Sequence, residues 1–187
     1  MSIENSETEV SRAFIDQARE FLREEYLPKI ERCLEKLTDE QIWWRPNTES
    51  NSIGNLLLHL SGNARQWIVC GLGVEVDARK RQAEFDERRA IPREELLSRL
   101  RGTVEAVDET LATFDASRLL DKFRIQGTES TALAAIFHVT EHFSMHAGQI
   151  ILLTKVLAKK DLAFYDLSTG KPVHKWGSRA NDIASDL

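Results

Sequence analysis

Three histidines, His138, His142 and His146, recur at every fourth position within one apolar-rich stretch of a 187-residue chain. If that stretch is helical, neighbours four apart hold their Cβ atoms about 5–6 Å from each other. Two imidazoles can then share one ion through bonds near ~2.1 Å. All three cannot, because a helix rises about 1.5 Å per residue and sets His138 and His146 about 12 Å apart along its axis. One neighbouring pair can bind, and a third ligand has to come from another element. His59 is the candidate, with Asn55, Asn63 and Gln66 spaced from it by four, four and seven residues. That is a polar stripe where apolar core is expected, and facing helices of a bundle build metal sites from such inward groups. Gln149 extends the histidine stripe while Val139 and Ile150 flank it, which turns the imidazoles inward. An interior histidine is often only a hydrogen-bonded core residue; His59 added to the pair favours a metal. The pattern is not that of a zincin, whose first His is followed directly by a general-base Glu. Here Phe143 follows His142 and Glu141 precedes it, so Glu141 reads as solvated or supporting, with action as a base the alternative.

The elements that would position these residues follow from hydrophobic period. Phe14, Ala18, Phe21, Leu22, Tyr26, Ile30, Cys33, Leu34 and Leu37 return every three or four residues and predict one amphipathic helix, kinked at Pro28. Thr38-Asp39-Glu40-Gln41 has the form of a capping box for a short turn that ends in Trp43-Trp44-Arg45-Pro46. Asn51-Ser52 offers an N-cap for a second helix, carrying His59, that Gly71 and Gly73 stop. Residues 74–91 read as a polar crossover. Its Arg79, Lys80, Arg81, Arg88 and Arg89 are balanced by Glu75, Asp77, Glu84, Asp86 and Glu87, the mark of a solvated face. Pro92 opens a third helix striped by Leu97, Leu100, Val104, Val107, Leu111 and Phe114. A loop around 115–128 leads to a fourth, from about Ser130 to Leu157, bearing the histidine stripe. The expected fold is all-α: a four-helix bundle over 1–165 with a long crossover between helices two and three, then an irregular C-terminal arm over 166–187.

Composition narrows the function classes. A hydrophobic share of 42% suits one globular domain, and 25 Lys plus Arg against 30 Asp plus Glu leave a net charge of -5. A dedicated nucleic-acid binder is disfavoured. No run approaches the roughly 18 apolar residues of a membrane span, and Met1–Val10 lacks the apolar centre of a signal peptide. A cytoplasmic protein without membrane attachment is expected. Cys33 and Cys70 form no C-x-x-C pair and read as small core residues; Cys70 lies about 16 Å along the helix from His59, too far to share its ion. Trp43 and Trp44 suit packing at a bundle end, and Arg65 a surface ion pair or an anionic substrate. His174 could fold over the site as a lid or belong only to the arm.

Three segments carry a family resemblance: Trp44-Arg45-Pro46-Asn47, Asn51 through Leu60, and His138 through Ile150 with its H-x-x-x-H-x-G-Q core. They resemble the signature blocks of the DinB-like superfamily, most nearly a bacterial subfamily of unassigned function, over roughly Phe14 to Tyr165. The resemblance implies a four-helix bundle, often dimeric, whose metal triad falls here on His59, His142 and His146. It implies zinc or nickel as the ion; Asn55, Asn63, His138 and Gln149 read as surrounding support from their spacing. Members include transferases and isomerases that use low-molecular-weight bacterial thiols. A metal-dependent transfer of such a thiol to a small electrophilic substrate is therefore the expected reaction, with metal-dependent hydrolysis or a non-catalytic metal staple as alternatives. Three neutral ligands leave an ion its full charge, so a bound thiol or water would lose its proton readily. A homodimer is also expected, because Phe137, Phe143, Ile150, Ile151 and Val156 spread wider around the fourth helix than one bundle face requires.

Overall fold

The structure, a computed structural model, describes residues 3–168 and 170–176. The first amphipathic stretch forms α1 (Ile3–Glu20), a π-helical segment (Phe21–Tyr26) and α2 (Leu27–Leu34), each continuing the last. Pro28 has no N–H, and its ring crowds the carbonyl of Glu24 four residues earlier. The chain answers with the widened π turn directly before it, closed by the Leu27 N–H donating to the Leu22 carbonyl. The expected kink is thus a π-bulge that lets the helix pass the proline. Ile15, Leu22, Ile30, Cys33 and Leu34 face the core.

The short helix α3 (Asp39–Trp43) starts on the Thr38–Gln41 capping box. The next, α4 (Ile53–Ala64), starts on a second such box, in which Ser52 and Asn55 satisfy each other's backbone N–H. A π-helical continuation, Arg65–Cys70, carries it to Gly71. Within the crossover lies a short helix, α5 (Arg81–Asp86). The bundle is completed by α6 (Arg93–Thr113) and α7 (Ala132–Ala158), the latter capped by Thr131 and ended by Lys159 at φ 51°. Central α4 packs on α6 and on α7, and α2 packs on α7. Buried Leu57, Leu60, Leu100, Leu111, Val139 and Phe143 join these helices into one core. No helix among the described residues is long and apolar enough to cross a membrane.

Two small hairpins are added to the bundle. Within the span read as a loop, β1 (Lys122–Ile125) pairs antiparallel with β2 (Thr128–Thr131). Its turn places both Gln126 and Gly127 at positive φ, 52° and 79°, the backbone that a tight two-residue hairpin needs. Strands of four residues are too short for alternation to announce them. In the arm, β3 (Tyr165–Asp166) pairs with β4 (Val173–His174), and Trp176 is buried. Arg32 holds this segment by donating to the carbonyls of Leu162 and Lys175, at 2.6 and 2.5 Å. Residues 177–187 of the expected arm lie outside the described residues.

Candidate metal centre

His59 sits mid-way along α4, and His142 and His146 face it one turn apart on α7. All three are buried, at 5%, 8% and 9% exposure. Their Nε2 atoms converge: His142 Nε2 lies 3.1 Å from that of His59 and 3.2 Å from that of His146. One ligand atom from each falls within 4.8 Å of the others, and among the described residues no carboxylate or thiol belongs to the group. Tetrahedral coordination with bonds of about 2.1 Å would set nitrogens roughly 3.4 Å apart, close to the two distances from His142.

The outer nitrogens decide where the protons sit. His59 Nδ1 lies 3.0 Å from Glu84 Oε2, which can only accept, and 3.2 Å from Arg79 Nη2, which can only donate. Arg79 already donates to Glu84, and the nearer carboxylate favours the proton on Nδ1. His146 Nδ1 lies 2.8 Å from Gln149 Oε1 and donates to it. Both Nε2 atoms therefore aim lone pairs at His142 Nε2, whose single proton could serve only one of them. A cation accepts all three. The donor set and its spacing thus fit an imidazole-preferring ion such as zinc, nickel, copper or iron.

Glu84 corrects the reading of the crossover as a solvated face. Its carboxylate is held by Arg79, whose Nε and Nη2 donate to the two oxygens at 2.7 and 2.8 Å. The two side chains are only 12% and 5% exposed. They fit against α4 because residue 62 is glycine, where a Cβ would overlap Glu84 Oε1. Phe85, next on α5, covers the His59 ring at 4.6 Å. Asn55 does not touch the histidines as expected; its Nδ2 donates to the Glu84 and Glu87 carbonyls and so anchors the crossover that delivers Glu84. Charge balance alone could not separate a buried ion pair from surface ones. The detectable signal was Gly62, three residues past His59 in a helix otherwise free to carry a side chain there.

Comparison with known proteins sets the chain in a family. A family model described as a protein of unknown function, DUF1572, matches residues 9–171. The chain belongs to the DUF1572 family. In fold, this DUF1572 chain is DinB-like. It is similar to a DinB-like protein from Bacillus cereus at a TM-score of 0.57 and 16% identity, covering 71% of this chain and 85% of that one. It is also similar to a conserved protein from Enterococcus faecalis at a TM-score of 0.59 and 15% identity, covering 86% and 99% respectively. No curated protein matches it in sequence.

The other candidates of the DUF1572 chain separate by position. His138 stays outside the cluster, its ring 5.3 Å from that of His142, and Asn63 Nδ2 lies 3.2 Å from its Nε2. Glu141 is half exposed, 3.5 Å from His138 Nδ1 and removed from the triad. Arg65 pairs with Glu75. Trp43 packs on Gly54 and donates to the Ile91 carbonyl. His174 stacks on Trp176 and faces Glu25 at 3.8 Å, which places it with the arm and not over the histidines. Cys33 is buried and its thiol pushed up to about 11, chiefly by burial, which makes it inert. A cavity of about 700 Å³ is lined by Arg79 and Glu84 but by none of the three histidines, so its contents would meet the supporting ion pair first.

Burial sets the charge state of the centre. It pushes His142 down to about 3, helped by the neighbouring charges of His146 and His59, and it lowers His146 and His138 as well. For Glu84, burial acts to raise the pKa, but hydrogen bonds from Arg79 and His59 outweigh it and hold the carboxyl below its ordinary value. Near neutral pH, His142 presents a neutral imidazole, the form a metal binds, beside an ionised supporting carboxylate.

Proposed function

We propose that this protein is a metal-dependent enzyme that holds one zinc or nickel ion on His59, His142 and His146 and transfers a low-molecular-weight thiol to a small electrophilic substrate. The observation that supports it is the convergence of three Nε2 atoms in a group with no anionic ligand. When bound at such a neutral donor set, the ion supplies Lewis acidity at an open position, where a thiol gives up its proton at neutral pH. The chain's own work is orientation. Glu84 and Gln149 fix the His59 and His146 rings, and Phe85 shields His59 from water. The experiment is cobalt substitution followed by added cysteine. A sulfur-to-metal charge-transfer band is expected; a visible spectrum unchanged by millimolar thiol would remove the thiol reading.

Pairing of two copies through α7 belongs to the same proposal. Of the apolar positions spread around this helix, Phe143 and Ile150 are fully buried, while Leu133, Phe137, Met145, Leu152 and Val156 are exposed along it. A two-fold axis makes one such stripe its own complement. Light scattering should give twice the chain mass of 21.3 kDa; the single-chain mass would contradict it.

A further inference from the structure

Among the described residues, Asn63 Oδ1, Trp67 Nε1 and His142 Nδ1 are buried side-chain atoms with no hydrogen-bond partner in the chain. They do not lie at random. All three belong to side chains gathered around His138: Asn63 Nδ2 is 3.2 Å from its Nε2, and the rings of Trp67 and His142 stand 4.4 and 5.3 Å from its own. An unpaired buried polar atom costs about 1–3 kcal/mol, so three around one imidazole point to a shared partner from outside the chain.

The hydrogen-bond inventory names the chemistry of that partner. Glu141, 3.5 Å from His138 Nδ1, favours a proton on that nitrogen. His138 Nε2 then accepts from Asn63 Nδ2, which leaves the buried Asn63 Oδ1 as an acceptor. The indole N–H of Trp67 can only donate. On the metal reading above, on which this inference rests, Nε2 of His142 faces the ion, so Nδ1 carries the proton and donates too. The receptor therefore offers two donors and one acceptor. A carboxylate would bring no proton for Asn63, and an ammonium would oppose two N–H groups. A hydroxyl accepts twice and donates once.

We infer that Asn63, Trp67 and His142 form a hydroxyl-binding subsite behind the metal centre, filled by water or by the alcohol group of a small molecule. It gives His142 the outer partner that Glu84 gives His59 and Gln149 gives His146. The His138 side chain, around which the three gather, is 32% exposed.

The test uses the zinc-loaded full chain with its indole and imidazole nitrogens labelled for NMR. The Trp67 N–H should be protected from exchange. A saturable shift of the Trp67 and His142 signals by 1,2-propanediol, absent with 1,2-dimethoxyethane, assigns the site to an alcohol. A cross-peak to a long-lived water that the diol leaves in place assigns it to water. Trp67→Phe, which keeps an aromatic ring without the N–H, and Asn63→Leu, which keeps the side-chain shape, should each weaken zinc about tenfold in competition with a chelator, the usual scale for an outer partner of a ligating histidine. An unprotected indole with neither signal, or zinc affinity unchanged in both variants, overturns the subsite alone. Zinc failing to bind the unaltered chain overturns the metal reading, and the subsite with it.

Discussion

Glu84 Oε2 lies 3.0 Å from His59 Nδ1, although 25 residues separate them in the chain. This contact ties the crossover to the bundle. It fixes the tautomer and the ring plane of His59, and it is itself fixed by two hydrogen bonds from Arg79. A carboxylate behind a ligating imidazole raises its basicity and holds its aim.

Replacing Glu84 by Gln should therefore weaken metal binding by about 10–100-fold while leaving the helical content intact. Gly62→Ala should act in the same direction, because its new Cβ displaces the carboxylate. Chelator competition read beside circular dichroism checks both. Unchanged affinity in Glu84→Gln would mean that the crossover only covers the site.

The metal-free protein should lose stability as pH falls below about 6.5. The folded state holds His142 near 3, whereas the unfolded chain takes up its proton at the ordinary value of 6.5. Between those limits the unfolded state binds more protons, so stability rises with pH by up to about 1.4 kcal/mol per unit and is fully present above 6.5. At pH 5 the loss from this residue is about 2 kcal/mol. Chemical denaturation across that range measures it, and His142→Leu should flatten the slope.

The four-helix architecture was legible because each long helix carries a continuous apolar stripe, and helix starts were legible where Thr38 and Ser52 open capping boxes. His59, His142 and His146 could be singled out because polar side chains at core spacing stand out against apolar neighbours. What could not be read was long-range pairing of ordinary charges. Arg79 and Glu84 look like the other crossover charges until the fold lays them on Gly62. The same limit hid Trp176, whose Nε1 donates at 3.1 Å to the Glu24 carbonyl that Pro28 deprives of its α-helical donor. Nothing local in a short aromatic tail announces a partner 152 residues away.

That contact predicts a measurable role for the arm. Trp176→Ala should destabilise the fold by about 3 kcal/mol, since it removes a buried ring that packs on Phe164 and lies under the Lys29 ammonium. Trp176→Phe keeps most of the ring and loses the N–H, and should cost about 1 kcal/mol. Denaturant midpoints order the three proteins; equal midpoints would show that the arm adds nothing to the bundle.

The central claim is that three histidines from two facing helices form one metal site, and equilibrium metal binding to untagged protein tests it most directly. Chelator-cleared chain titrated with zinc should take up one ion per chain, and His59→Ala, His142→Ala and His146→Ala should each abolish stoichiometric uptake while His174→Ala retains it. Full uptake by the His142 and His146 variants, or none by the unaltered chain, would contradict the account.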